Sequence, residues 1–137
     1  MVRIIVIVMM ILCLCGCTAK VTEPEPASES AGVYEYVQIS QQEAKTMMDE
    51  YADSVILDVR EQDEFDAGHI PGAVLLPVGS IDEVSAAAVI PAKDTVVLVY
   101  CRSGNRSKTA SAALVKLGYS NVYEFGGIID WPYEIEQ

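Results

Sequence analysis

The sequence is short of cations, of histidine and of cysteine outside its first residues. Lys and Arg number 9 against 20 Asp and Glu, a formal net charge of -11 over 137 residues. Nucleic acid and anionic lipid are gripped by broad basic faces that neutralise phosphate. The deficit therefore excludes both as partners of such a face, and any anion handled here is held locally. A single histidine, His69, leaves no His cluster for a metal and no Cys-His dyad, so neither metal nor cofactor is expected. Of the four cysteines, Cys13, Cys15 and Cys17 crowd together near the start. Cys101 stands alone in the remainder, which rules out a disulfide there. The only long uncharged apolar run, Ile4 to Leu14, is shorter than the roughly 20 residues of a bilayer-spanning helix.

What is present divides the chain into three parts. Met1-Val2-Arg3, the apolar run and Leu14-Cys15-Gly16-Cys17 read as a targeting segment over 1–16. Its end resembles the bacterial lipobox, in which the final Cys, here Cys17, is S-acylated and becomes the new N-terminus. Cys15 stands where Ala, Ser or Thr is more usual. The alternative is an uncleaved signal anchor; both readings place the rest of the chain outside the cytoplasmic membrane. Residues 17–33 collect Pro, Glu and Ser without apolar period and read as a solvated tether. Residues 34–137 remain for one modest domain, and their hydrophobic runs exclude a disordered chain.

That domain alternates strand and helix signals. Tyr36 to Ile39 is a short strand pattern, followed by a Ser40-x-x-Glu43 capping box and Ala44, Met47, Met48 and Tyr51 at helical spacing. Ser54 to Val59 is a continuous β-branched run, as in a strand buried on both faces, and Val96 to Tyr100 is the strongest strand signal in the chain. Between them lie an acidic turn of helix at Glu61 to Ala67, a strand at Val74 to Leu76, and a helix expected to open on a second box, Ser80-Ile81-Asp82-Glu83. Ser107 to Leu117 reads as a helix stopped by Gly118, Asn121 to Phe125 as the last strand, and Gly126-Gly127 as a turn. The pattern predicts an α/β fold, a parallel sheet with helices on both faces, whose ligands bind beyond the carboxyl ends of the strands.

Cys101 falls at that place, after the most apolar strand. The loop behind it, Arg102-Ser103-Gly104-Asn105-Arg106-Ser107, holds no apolar side chain. Gly104 and Asn105 tolerate positive φ and let consecutive amides curl into an anion nest, and the loop runs into a helix N-terminus. With Arg102 and Arg106 alongside, the thiol is expected to ionise readily and act as a nucleophile. Arg102 and Arg106 are assigned to steering and holding an anionic donor, Arg106 foremost. Ser103 and Ser107 are placed as hydroxyl donors, with a helix cap as the alternative for Ser107.

The loop Cys101 to Ser107 resembles the active-site loop of the rhodanese-like sulfurtransferases. Leu57-Asp58-Val59-Arg60, Glu64-Phe65 with Gly68-His69-Ile70-Pro71-Gly72-Ala73, and Gly126-Gly127-Ile128 with Trp131 match the same family in order. The resemblance implies a three-layer fold with a central parallel sheet of about five strands. It also implies that Cys101 accepts a sulfane sulfur from a small donor such as thiosulfate and passes it, as a persulfide, to cyanide or a thiol. Two alternatives stay open: an extracytoplasmic sulfane-sulfur carrier or binding module without turnover, and a cysteine-dependent phosphatase or arsenate reductase of the same scaffold. The latter carry Cys-x5-Arg, whereas four residues separate Cys101 from Arg106 here.

Other residues have structural readings. Gly68 to Gly72 reads as a rigid turn containing His69. Asp58 and Arg60 follow a buried strand on the ligand side and are expected either to support the loop from behind or to pair with Glu61 or Glu64. The acids Glu61, Asp63, Glu64 and Asp66 are expected to be the solvated first turn of a helix. Trp131 and Tyr133 are expected to pack the C-terminal tail.

Overall fold

The computed structural model describes residues 33–137; the targeting segment, Cys17 and nearly all of the tether lie outside the described residues. In chain order the elements are β1 (Val37–Gln38), α1 (Gln41–Glu50), β2 (Val55–Asp58), α2 (Gln62–Ala67), β3 (Val74–Leu75), α3 (Glu83–Val89), β4 (Val97–Cys101), α4 (Asn105–Lys116) and β5 (Val122–Gly127). Short 3-10 turns cover Val78–Ser80 and Ile128–Asp130. All strands are parallel, in the order β1-β5-β4-β2-β3. The expected fold, a parallel five-stranded sheet with helices around it, is the observed one.

The run that reads as the strongest strand occupies the centre of the sheet because every residue of β4 is buried. Successive side chains point to opposite faces. Val97, Val99 and Cys101 enter a core with Ala86 of α3 and Ala110 and Leu114 of α4. Leu98 and Tyr100 enter a second core with Ala44 of α1, Phe125 and Trp131, against which Met47 and Met48 pack. The thiol therefore sits on the α4 side of the sheet, at its carboxyl edge.

The Ser40 capping box forms as expected: Ser40 Oγ accepts from the Glu43 amide at 3.1 Å and the Glu43 carboxylate accepts from the Ser40 amide at 2.7 Å. Three local expectations are corrected. The cap of α3 is Asp82, which accepts from the Ser85 amide at 2.7 Å, while Ser80 lies in the preceding 3-10 turn. Helix α4 begins at Asn105, with Gly104 as its N-cap at φ +101°. Gly126-Gly127 belong to β5 rather than to a turn.

The last correction follows from a bulge. Val99 pairs with Glu124, yet Cys101 pairs with Gly127, so two steps along β4 match three along β5. Such an insertion bends the strand and re-aims its side chains. It brings Gly127 against the Cys101 loop, while Glu124, before the bulge, faces the same core as Val122 by ordinary alternation.

Candidate active site

Cys101 ends β4 with 1% of its surface exposed, and the chain then wraps over the sulfur. Because Gly104 takes a left-handed conformation that a side chain resists, its amide points back and donates to Sγ at 3.0 Å. Ser107, fully buried in the first turn of α4, puts Oγ 3.5 Å from Sγ, where it accepts from the thiol. Burial pushes the thiol up, but the Ser107 hydroxyl and the amides of Ser107, Gly104 and Ser103 outweigh it, leaving Cys101 below the ordinary thiol value.

Gly127 fixes the other wall. A Cβ there would lie 2.1 Å from the Arg102 carbonyl oxygen and 2.5 Å from Ser103 Cα, so only glycine lets β5 approach the loop. The Ile129 amide donates to that carbonyl at 3.2 Å, and the Gln41 side chain donates to the Gly127 carbonyl at 2.8 Å.

The arginines do not sit as the loop sequence suggests. Arg106 is engaged bidentately by Glu64 of α2, at 2.6 and 2.8 Å, rather than turned wholly to an anion. Its guanidinium holds the Glu64 carboxyl down at about 2, which corrects the expectation that this acid is merely solvated. Arg102, Ser103 and Asn105 are exposed at the loop surface. The lowering of the thiol thus comes from hydroxyl and amide donors more than from cations. Ser107 is not a cap either: its hydroxyl lies 3.0 Å from the Gly104 carbonyl and 2.6 Å from Glu124 Oε1.

Asp58 and Arg60 pair with each other, not with Glu61 or Glu64, and among the described residues no side-chain hydrogen bond joins either to the loop Arg102 to Ser107. The carboxylate accepts from Arg60 Nη2 at 2.6 Å and from Nε at 2.9 Å. Arg60 Nη2 also donates to the Gly68 carbonyl at 2.8 Å, and the Ile70 amide donates to the Tyr100 hydroxyl at 3.1 Å. The two matching segments around Asp58 and His69 therefore brace one another beneath Tyr100. His69 stacks on Phe65 at 3.8 Å and exchanges backbone bonds with Glu136, as suits a rigid turn. Trp131 meets Tyr133 edge-on and donates to the Glu134 carbonyl, as expected of a tail anchor.

Sequence reasoning missed Glu124, only 3% exposed, whose Oε1 also accepts from the Gly126 amide at 2.9 Å. Its signal was a lone carboxylate in an apolar strand, on the same side as the inward-facing Val122.

Comparison with known proteins places this geometry. A family model of the rhodanese-like domain matches residues 40–132. The putative mitochondrial thiosulfate sulfurtransferase of Schizosaccharomyces pombe is 40% identical over 94 residues, covering 61% of this chain and 66% of that protein, just under two thirds of its length. The thiosulfate sulfurtransferase GlpE of Coxiella burnetii is 38% identical over 97 residues, covering 70% of this chain and 87% of that one. A solved rhodanese with anions from E. coli matches with a TM-score of 0.57 at 28% identity, over 61% of this chain and 98% of its own.

Proposed function

The chain belongs to the rhodanese-like family, and from that premise we propose that it is a sulfurtransferase working through a persulfide on Cys101. The observation that carries the reading is the loop folded over one buried sulfur: the Gly104 amide donates to Sγ at 3.0 Å, the Ser107 hydroxyl accepts from the thiol at 3.5 Å and can turn to donate once the thiolate forms, and Gly127 walls the loop. The thiolate lone pair attacks the outer sulfur of a donor such as thiosulfate. A bond forms between Sγ and that sulfur, the donor's own S–S bond breaks, and its electron pair leaves with sulfite. The persulfide anion left on Cys101 occupies the loop, whose fixed amides need no reorganisation to hold it. A thiophilic acceptor, cyanide or a thiol, then takes the outer sulfur and restores the thiolate.

Two features support sulfur over phosphoryl transfer. The loop spans four residues between Cys101 and Arg106, which suits a single sulfur atom better than a tetrahedral group, and it holds no Asp to serve as a general acid. The exposed loop residues Arg102, Ser103 and Asn105 meet the donor first, and Arg106 contributes in competition with Glu64. Intact mass of the protein after thiosulfate treatment tests the reading. A gain of one sulfur, reversed by a thiol and abolished in Cys101→Ser, is expected; no gain overturns it, and a gain without turnover makes the protein a carrier.

The proposal extends to localisation. Leu14-Cys15-Gly16-Cys17 behind an uncharged apolar run supports cleavage after Gly16, lipidation of Cys17 and a domain held outside the membrane on the tether. Mass spectrometry is expected to find acylated Cys17 at the mature N-terminus, and an unmodified Cys17 within an intact Met1 chain would refute it.

A further inference from the structure

The reading of Cys101 as nucleophile leaves one buried titratable group unused. Glu124 lies at 3% exposure on the α4 face of β5, and its Oε1 is 2.6 Å from the Ser107 hydroxyl that in turn accepts from the Cys101 thiol. Three heavy atoms, Sγ, Oγ and Oε1, form a continuous chain. Serine carries one hydroxyl proton and can donate it once. With Cys101 as a thiol the chain is complete, since S–H donates to Oγ and O–H donates to the carboxylate. With a thiolate beside an ionised Glu124, two anions compete for that single hydroxyl proton, and the loser keeps only its backbone donor, the Gly104 amide for the thiolate or the Gly126 amide for the carboxylate. One arrangement satisfies both: the thiolate accepts from Ser107 and Ser107 accepts from a protonated Glu124.

We propose that Glu124 stores the proton of Cys101, receiving it through Ser107 when the thiolate forms. This rests on the reading of Cys101 as the sulfur-accepting nucleophile. The S–H bond breaks as an O–H bond forms at Oγ, while the original Ser107 O–H bond breaks as one forms at Oε1. No electron is gained or lost, and the site keeps one negative charge throughout. Glu124 touches no donor and acts through Ser107, so it is a positioning residue for the proton rather than a catalytic one. The Gly126 amide, at 2.9 Å from Oε1, holds the carboxyl in line for either state.

Charged groups surround the chain without entering it. From α4 come Arg106, held by Glu64 of α2, and Lys108; Arg102 lies in the loop; Asp130 follows β5, and with Lys108 it lines the cavity of about 470 Å³ that Glu124 also lines. Tyr100 and the Asp58–Arg60 pair lie on the other face of the sheet. Among the described residues, none of these side chains hydrogen-bonds to Ser107 or Glu124.

The pH dependence of iodoacetamide alkylation at Cys101 in the full chain, followed by peptide mass, tests the proposal. The probe is uncharged and reports thiolate fraction. A proton that moves within the pair makes that fraction independent of pH, so the wild-type rate should vary less than about twofold from pH ~6 to ~8. In Glu124→Gln, which accepts the same hydrogen bonds and cannot take the proton, the rate should climb about tenfold per pH unit below its midpoint. Ser107→Ala, which breaks the chain at its middle, should climb alike and serves if Glu124→Gln does not fold. A tenfold climb per unit in the wild type, or a flat profile in either variant, overturns the proposal. Because alkylation needs no sulfur donor, failure here is separate from failure of thiosulfate to load Cys101.

Discussion

Replacing Glu64 by Gln should weaken the fold slightly and strengthen the grip on an anionic donor. In the wild type the Arg106 guanidinium, 2.6 and 2.8 Å away, holds Glu64 at about 2 against an ordinary 4.5. A gap of that size is worth at most ~3 kcal/mol by linkage. The two side chains retain 33% and 26% of their exposure, so screening by water cuts the net contribution to about 1 kcal/mol. The carboxyl is depressed in the folded state. Its contribution is therefore complete above the ordinary carboxylate range and is lost as pH falls from about 4.5 towards about 2. Denaturant unfolding at a series of pH values should show wild type and Glu64→Gln differing by about 1 kcal/mol at neutral pH and converging in acid. The freed Arg106 should meanwhile lower KM for thiosulfate roughly fivefold at low salt, the equivalent of about 1 kcal/mol, with the gain shrinking as salt rises. A difference in stability that does not close in acid, together with an unchanged KM, would refute the reasoning: the pair would then neither store stability nor compete with the donor.

Gly127→Ala should cost about 1–3 kcal/mol from overpacking, because its Cβ would meet the Arg102 carbonyl oxygen at 2.1 Å. Since backbone faces backbone there, the loop must move, and sulfur transfer should fall on the order of 10²-fold; thermal melts and turnover measured together check both. Arg60→Met strips the buried Asp58 carboxylate of its partner, whose side chain is 6% exposed against 0% for Asp58, and should lower stability by about 3–5 kcal/mol in denaturant unfolding. For p-nitrophenyl phosphate, hydrolysis should be far slower than transfer of thiosulfate sulfur, and comparable efficiencies in the two assays would favour phosphoryl chemistry.

Contiguous residues carried the parts of this protein that are legible in one dimension. The apolar stretches Val55 to Leu57 and Val97 to Cys101 announce strands covered on both faces, since neither alternates with a polar side that could meet water. The loop from Cys101 to Ser107 announces a thiol nest because the amides that face the sulfur belong to the same few residues as the sulfur itself. Boundaries were less legible: Ser80 and Asp82 both suit a cap, and only the turn at Val78–Ser80 decided for Asp82.

Partners remote in sequence were decided by the fold alone. Glu64 reaches Arg106 across 42 residues, and Glu124 reaches Ser107 across 17, because parallel strands joined by helical crossovers bring distant segments to one sheet edge. No local pattern says which of several acids will meet a given arginine. Nor does any announce the bulge that sets two steps of β4 against three of β5. That one extra residue turns Gly126-Gly127 from an expected turn into the wall of the loop. Glu124, in regular register opposite Val99, comes beneath the thiol only because β5 lies beside β4, a pairing that exists only once the sheet has formed.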